Sequence, residues 1–170
     1  MSFMKHATIV LSFLIFCGSA IAQTPLDRSG KVAFFGITFL DTSTEGDYFG
    51  AREDEAARIE LVEDYVQDWF AEEGFAFADL APVSETLDRI VNPAECYGCE
   101  LRMGEELGVS YVLVGEVQKV SNLILSMNLV MREVSTGDMV RGQSVEIRSN
   151  TDDSWLRGFR YILKNNFFNT

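Results

Sequence analysis

Residues 109–148, VSYVLVGEVQKVSNLILSMNLVMREVSTGDMVRGQSVEIR, carry the pattern that decides the fold. Three strand-length segments follow one another at 109–120, 123–134 and 139–148. Ser121-Asn122 and Ser135-Thr136-Gly137-Asp138 separate them. Apolar and β-branched runs favour extended backbone, and short polar residues with glycine turn it. In the middle segment Leu123, Leu125, Met127, Leu129 and Met131 fall on one face, and Ser126, Asn128 and Arg132 on the other. This alternation predicts an antiparallel meander with one side covered and the other wetter.

Upstream of the meander the period changes to that of helices. Residues 96–107 read as a helix stopped by Gly108, and 84–91 as a short helix with Ser84 as candidate N-cap, broken by Asn92-Pro93. Residues 31–40, KVAFFGITFL, form a continuous apolar run expected to be a strand covered on both faces. Residues 41–50 read as a loop. Residues 53–73 read as an amphipathic helix, with Ile59, Val62, Val66 and Trp69 at helical spacing, joined by Leu61, Tyr65 and Phe70, and acids opposite. Gly74 ends it, and 75–80 reads as a second short strand. Downstream, 152–168 reads as a helix capped by Thr151, with Asp152 and Asp153 in its first turn and Trp155, Phe159 and Ile162 facing inward.

The order β-α-β-α-α-β-β-β-α predicts an α/β (α+β) fold with a mixed five-stranded sheet and helices mainly on one face. A helix between the first two strands implies that they run parallel. No internal repeat or domain boundary is visible.

Residues 1–22 read as an export signal. Lys5 precedes an apolar run over 7–16, and Ala20-Ile21-Ala22 offers small residues for cleavage before Gln23. The apolar stretch is shorter than the roughly 20 residues that span a bilayer. Cys17 would serve a lipoprotein signal, but bulky Phe16 stands where a small residue is needed. The expected product is residues 23–170 as one domain, periplasmic or secreted, without a transmembrane segment.

The chain of 170 residues has a net charge of −12, which argues against a nucleic-acid partner. Residues 23–106 hold 20 acids and 6 bases, whereas residues 107–170 hold 6 acids and 7 bases. The sole histidine, His6, lies in the expected signal. Its loss removes Ser-His-Asp and Cys-His arrangements and the commonest general base. Neither G-x-G-x-x-G nor G-x-x-x-x-G-K-[ST] occurs, and the loop Asp41-Thr42-Ser43-Thr44-Glu45-Gly46-Asp47 lacks EF-hand spacing. No catalytic set, metal site or cofactor is therefore expected.

Cys96-Tyr97-Gly98-Cys99 is the sharpest local motif. In an oxidising compartment Cys96 and Cys99 are expected to form a local structural disulfide. A redox-active pair is the alternative, because a helix start can stabilise a thiolate. A haem motif would need His at position 100, which is Glu. A further alternative is a small-ligand or metal carrier using the acidic half.

Two polar clusters complete the candidates. Gln118, Lys119, Ser121 and Asn122 lie at the first hairpin. Arg148, Asn150, Asp152, Asp153, Ser154, Trp155 and Arg157 lie where the last strand meets the last helix. Such residues commonly bond backbone at turns and caps. Together they could also form a recognition surface with Lys119, Arg148 and Arg157 as its cations. The expected function is that of a non-enzymatic accessory protein, a binding or assembly module for another periplasmic or envelope protein.

Residues 117–125 (VQKVSNLIL) and 147–161 (IRSNTDDSWLRGFRY) resemble a bacterial family of predicted secreted proteins of unknown function. So do LDTST at 40–44, DEAAR at 54–58, CYGCE at 96–100 and LGVSYVLVGE at 107–116. The resemblance implies export and one α/β domain, and no established activity. Ser149 departs from the family's pattern, which has glycine there. LGVSYVLVGEV and the turn at 135–138 also look like the amino-terminal domain of the Tol translocation β-propeller protein and the periplasmic domain of the curli secretion lipoprotein. Those domains act by protein contacts, and this likeness is at the level of fold.

Overall fold

A computed structural model describes residues 25–169. The expected signal, with Lys5, His6 and Cys17, lies outside them. The strands are β1 (Lys31–Asp41), β2 (Ala76–Phe77), β3 (Tyr111–Lys119), β4 (Ile124–Glu133) and β5 (Met139–Arg148). The α-helices are α1 (Thr44–Phe49), α2 (Glu53–Glu72), α3 (Ser84–Leu87), α4 (Cys99–Leu107) and α5 (Asp152–Ile162), which runs into a π-helical turn at Leu163–Phe167. The sheet order is β2-β1-β3-β4-β5. β1 pairs in parallel with β2 and β3, and β3-β4-β5 form the expected antiparallel meander.

The sheet divides the core in two. On one face α2 and α5 cover Val32, Phe34, Leu113, Val117 and the β4 stripe Leu125, Met127, Leu129 and Met131. All four stripe residues are fully buried, whereas Leu123 lies beyond the strand and is 57% exposed. On the other face the smaller α4 and the 3-10 turn Ala81–Val83 cover Ala33, Phe35, Val112 and Val114. The alternation of β1 between these cores is why its sequence is continuously apolar. Gly158 lets α5 approach the sheet, since a Cβ there would meet Met127 Sδ at 2.5 Å and Ile147 Cγ2 at 3.0 Å.

The local departures have local causes. The 41–50 loop contains α1, because the Asp41 carboxylate accepts from the Ser43 amide and hydroxyl while Ser43 Oγ caps Gly46 N–H at 3.0 Å. The second strand is only two residues long, Ala76–Phe77, and its pairing with β1 closes with the Ala78 amide donating to Val32 O before the chain turns into Ala81–Val83. The third helix shrinks to Ser84–Leu87, with Ser84 inside the helical backbone rather than capping it. α4 starts at Cys99 because Tyr97 and Gly98 both have positive φ, 55° and 88°. β1 bulges between Phe34 and Ile37, with Gly36 at φ 85°, and Glu63 on α2 accepts the freed Ile37 N–H at 2.6 Å.

Ser149, at a position where the resemblance implies glycine, sits at φ 81°. Side chains crowd the backbone in that region, at a cost of roughly 1–2 kcal/mol. Ser149→Gly is therefore expected to raise the melting temperature, by a net gain of about 0.5–1 kcal/mol after glycine's entropy cost. An unchanged or lower melting temperature would contradict the argument.

Candidate functional site

The candidate residues converge where β1 and β3 end and β5 turns into α5. Beneath that end lies a buried ion cluster. Lys119, the last residue of β3, is 1% exposed, and its Nζ lies 2.9 Å from Asp41 Oδ2 and 2.7 Å from Glu55 Oε1. Asn150 Nδ2 donates to the same Glu55 oxygen at 2.7 Å, and Trp155 Nε1 donates to Asn150 Oδ1 at 2.9 Å. Arg58 Nε donates to Asp152 Oδ1 at 2.8 Å, and Arg58 also pairs with Asp54 at 3.0 Å. One network therefore ties β1, β3, α2 and the turn before α5.

Burial pushes the Lys119 amine down, but the carboxylates of Glu55 and Asp41 outweigh it and hold the pKa above its ordinary value. Burial pushes the Asp41 carboxyl up, but the Ser43 hydroxyl and amide and the Lys119 ammonium outweigh it and hold it below the usual range. Glu63 behaves oppositely. Burial raises its pKa beyond what the Ile37 amide offsets, and the carboxylates of Asp64 and Glu60 add to the rise.

The structure redistributes the expected surface. Lys119, expected as a cation facing a partner, is enclosed by its two carboxylates. Trp155 is fully buried against Phe39, with ring centroids 5.8 Å apart, and Ser154 is 3% exposed and bonded to the Thr151 cap. Gln118, Ser121 and Asn150 are half-buried. Gln118 reaches Thr42 Oγ1 at 3.4 Å, and Ser121 Oγ accepts the Leu123 and Ile124 amides. Asn122, Arg148, Asp152 and Arg157 remain exposed. Arg148, Ser154 and Arg157 line a groove of about 540 Å³ between β5 and α5, with Val145, Ile147 and Tyr161.

Sequence reasoning missed the apolar part of this end. Tyr48 and Phe49 on α1 are 80% and 82% exposed, and Val120, Leu123 and Ile124 at the hairpin are also exposed. Asn122 Nδ2 reaches Glu45 Oε1 at 3.4 Å and Thr42 N–H donates to Lys119 O, which places hairpin and α1 side by side. Two adjacent aromatics inside a polar loop were the available signal. Glu55 was also missed, although it precedes Ile59, Val62 and Val66 on the apolar stripe of α2.

Cys96 and Cys99 are joined as a disulfide across a Cα–Cα distance of 5.4 Å. Cys99 is 7% exposed, and a Glu100 carboxylate oxygen lies 3.2 Å from Cys96 Sγ. Among the described residues, Cys96, Cys99 and Glu100 are the one group of three or more ligand-type side chains close enough to share an ion, and two of them are committed to the disulfide.

A mixed α/β sheet with a buried ion cluster and an exposed apolar patch at one end defines the class of fold. The chain belongs to the family described as protein of unknown function (DUF2380), whose pattern matches residues 30–167. It is similar to the PelC dodecamer from Paraburkholderia phytofirmans, with 12% identity, TM-score 0.50, and coverage of 84% of this chain and 90% of that one. It is similar to the LpoB C-terminal domain from Salmonella enterica, with 12% identity, TM-score 0.49, and coverage of 73% and 86%. TolB from Acinetobacter baumannii gives 10% identity, TM-score 0.43, and coverage of 82% of this chain and 29% of that one. At 12% identity the likeness to PelC is one of fold. No curated protein matches the chain. No helix among the described residues is long and apolar enough to cross a membrane.

Proposed function

We propose that this protein is a non-enzymatic accessory module of the bacterial envelope, exported after removal of residues 1–22, that works by contact with another exported or envelope protein. The observation that carries the reading is the set of exposed apolar side chains Tyr48, Phe49 and Leu123 on α1 and the adjoining hairpin, where Asn122 reaches Glu45. Clustered exposed aromatics rimmed by polar groups are typical of protein contact sites. A PelC chain of similar fold is described as a dodecamer, which supports a role through protein contacts. The Cys96–Cys99 bridge takes a structural role in this reading. Burial of Cys99 and the Glu100 carboxylate beside Cys96 both oppose formation of a thiolate.

A photo-cross-linking residue at Phe49 or Leu123 is expected to trap one and the same envelope protein. The same residue at Glu85, whose side chain is 85% exposed, should not. Tyr48→Ser/Phe49→Ser is expected to lower recovery of that protein about tenfold, a loss ordinary for two anchor residues. Identical adducts from all three positions, or unchanged recovery with the double variant, count against the proposal.

A further inference from the structure

Each side of the sheet leaves a stretch of strand edge open, on β1 beyond its short pairing with β2 and on the outer strand β5, and the two stretches lie at the same level. β2 pairs only with Lys31 and Val32, so among the described residues no strand covers the outer edge of β1 over 37–41. β5 is the opposite outer strand. Its first half is approached by the chain end, where Arg141 Nε donates to Phe167 O, while residues 143–148 line the groove beside α5. The pairing Ile37↔Gly115, Gly115↔Leu129 and Leu129↔Gln143 sets Ile37 level with Gln143. Asp41↔Lys119, Lys119↔Leu125 and Leu125↔Ile147 likewise set Asp41 level with Ile147. The two strands run in the same direction, because β1 and β3 are parallel and two antiparallel steps follow.

The hydrogen-bond phase also matches. Thr42 N–H points inward to Lys119 O, and Ser149 N–H points inward to Leu123 O. Alternation then turns the amides of Phe39 and Asp41 outward on β1, and those of Ser144, Glu146 and Arg148 outward on β5. At the levels given, Glu146 lies opposite Leu40 and between Phe39 and Asp41, as a parallel ladder requires. Each open edge also runs beside a groove under a helix on the same sheet face. The β5 groove carries Arg148, Arg157 and Tyr161. The β1 groove, of about 330 Å³, carries Ile37, Phe39, Ile59 and Glu60, and its Arg52 is tied to Asp54 at 2.8 Å. The first lies in the nearly neutral half of the chain and the second in the strongly acidic half.

We infer that copies of this protein assemble head to tail, with the 143–148 edge of β5 in one copy pairing in parallel with the 37–41 edge of β1 in the next. The occupant of each edge is a second copy, chosen by matching level, direction, hydrogen-bond phase and charge. Such a contact is heterologous, so it closes into a ring or continues as a filament. Neither Tyr48 nor Phe49 lines either groove.

Sedimentation of the purified protein is expected to show species larger than a monomer at micromolar concentration. Glu146→Pro removes an outward N–H and no bond inside the sheet, and should weaken assembly at least about tenfold while leaving the melting curve nearly intact. Mixing Leu40→Cys with Glu146→Cys should give a disulfide-linked pair that neither variant forms alone, since facing strands lie about 4.8 Å apart. Tyr48→Ser/Phe49→Ser should assemble like the wild type. A wild type that stays monomeric, an assembly indifferent to Glu146→Pro, or a cysteine mixture no more linked than its components would each overturn the inference.

Discussion

Lys119→Met is expected to destabilise the fold by about 3–5 kcal/mol, read from denaturant unfolding at neutral pH. Methionine preserves most of the aliphatic volume, so the loss isolates the ammonium. Without it, the carboxylates of Asp41 and Glu55 face each other inside the protein, and Glu55 is 1% exposed. An uncompensated buried charge costs far more than the intact pair contributes. Combining Lys119→Met with Asp41→Asn and Glu55→Gln should recover a large part of the stability. A loss below about 1 kcal/mol for the single variant would mean that the cluster is wetter than its geometry indicates.

The same cluster sets the pH response. The folded pKa of Asp41 is depressed, so its contribution is present above the unfolded value near 3.9 and is lost as pH falls through the folded value. The folded pKa of Lys119 is raised, so its contribution is complete below the unfolded value near 10.4 and is lost as pH rises through the folded one. Glu63, raised by burial, acts the other way and adds stability as it takes up its proton on acidification. The deficit of Lys119→Met should therefore shrink on acidification, as Asp41 takes up its proton and the wild type loses the charge pair that the variant already lacks. A deficit that is constant from pH 7 to 3 would contradict this.

Trp155→Ala is expected to cost about 3–5 kcal/mol, the range for deleting a large buried ring. Trp155 is fully buried, its ring packs against Phe39, and its Nε1–H holds Asn150, whose amide in turn steadies Glu55. The alanine variant therefore opens a cavity and loosens the ion cluster together. Trp155→Phe separates the two effects. It keeps most of the ring but removes the donor, and should cost about 1–3 kcal/mol through the smaller ring and the lost bond to Asn150 Oδ1, which keeps only the longer one from Arg58 at 3.4 Å. Equal losses for the two variants would show that packing contributes little beyond the hydrogen bond.

Much of the candidate site could be read in part. Asn150, Asp152 and Trp155 stood out as a polar turn with an inward aromatic, and all three join the network. Lys119 stood out too, but its role reversed, because a lysine at the end of a hairpin strand looks exposed until the partners beside it are known. Asp41 and Glu55 lie 78 and 64 positions before it in the chain, and no local pattern brings them to its ammonium.

The sequence by itself determined the meander, the parallel start, the long amphipathic helix and the inward face of α5. Each of these follows from side-chain period and turn chemistry within one segment, and local sterics and burial act on such segments directly. Only the tertiary structure decided which polar residues would be buried, where the exposed aromatics would gather and which strand edges would stay open. Those outcomes depend on contacts between segments far apart in the chain, where the energy of a charge or an edge is set by whatever the fold places against it.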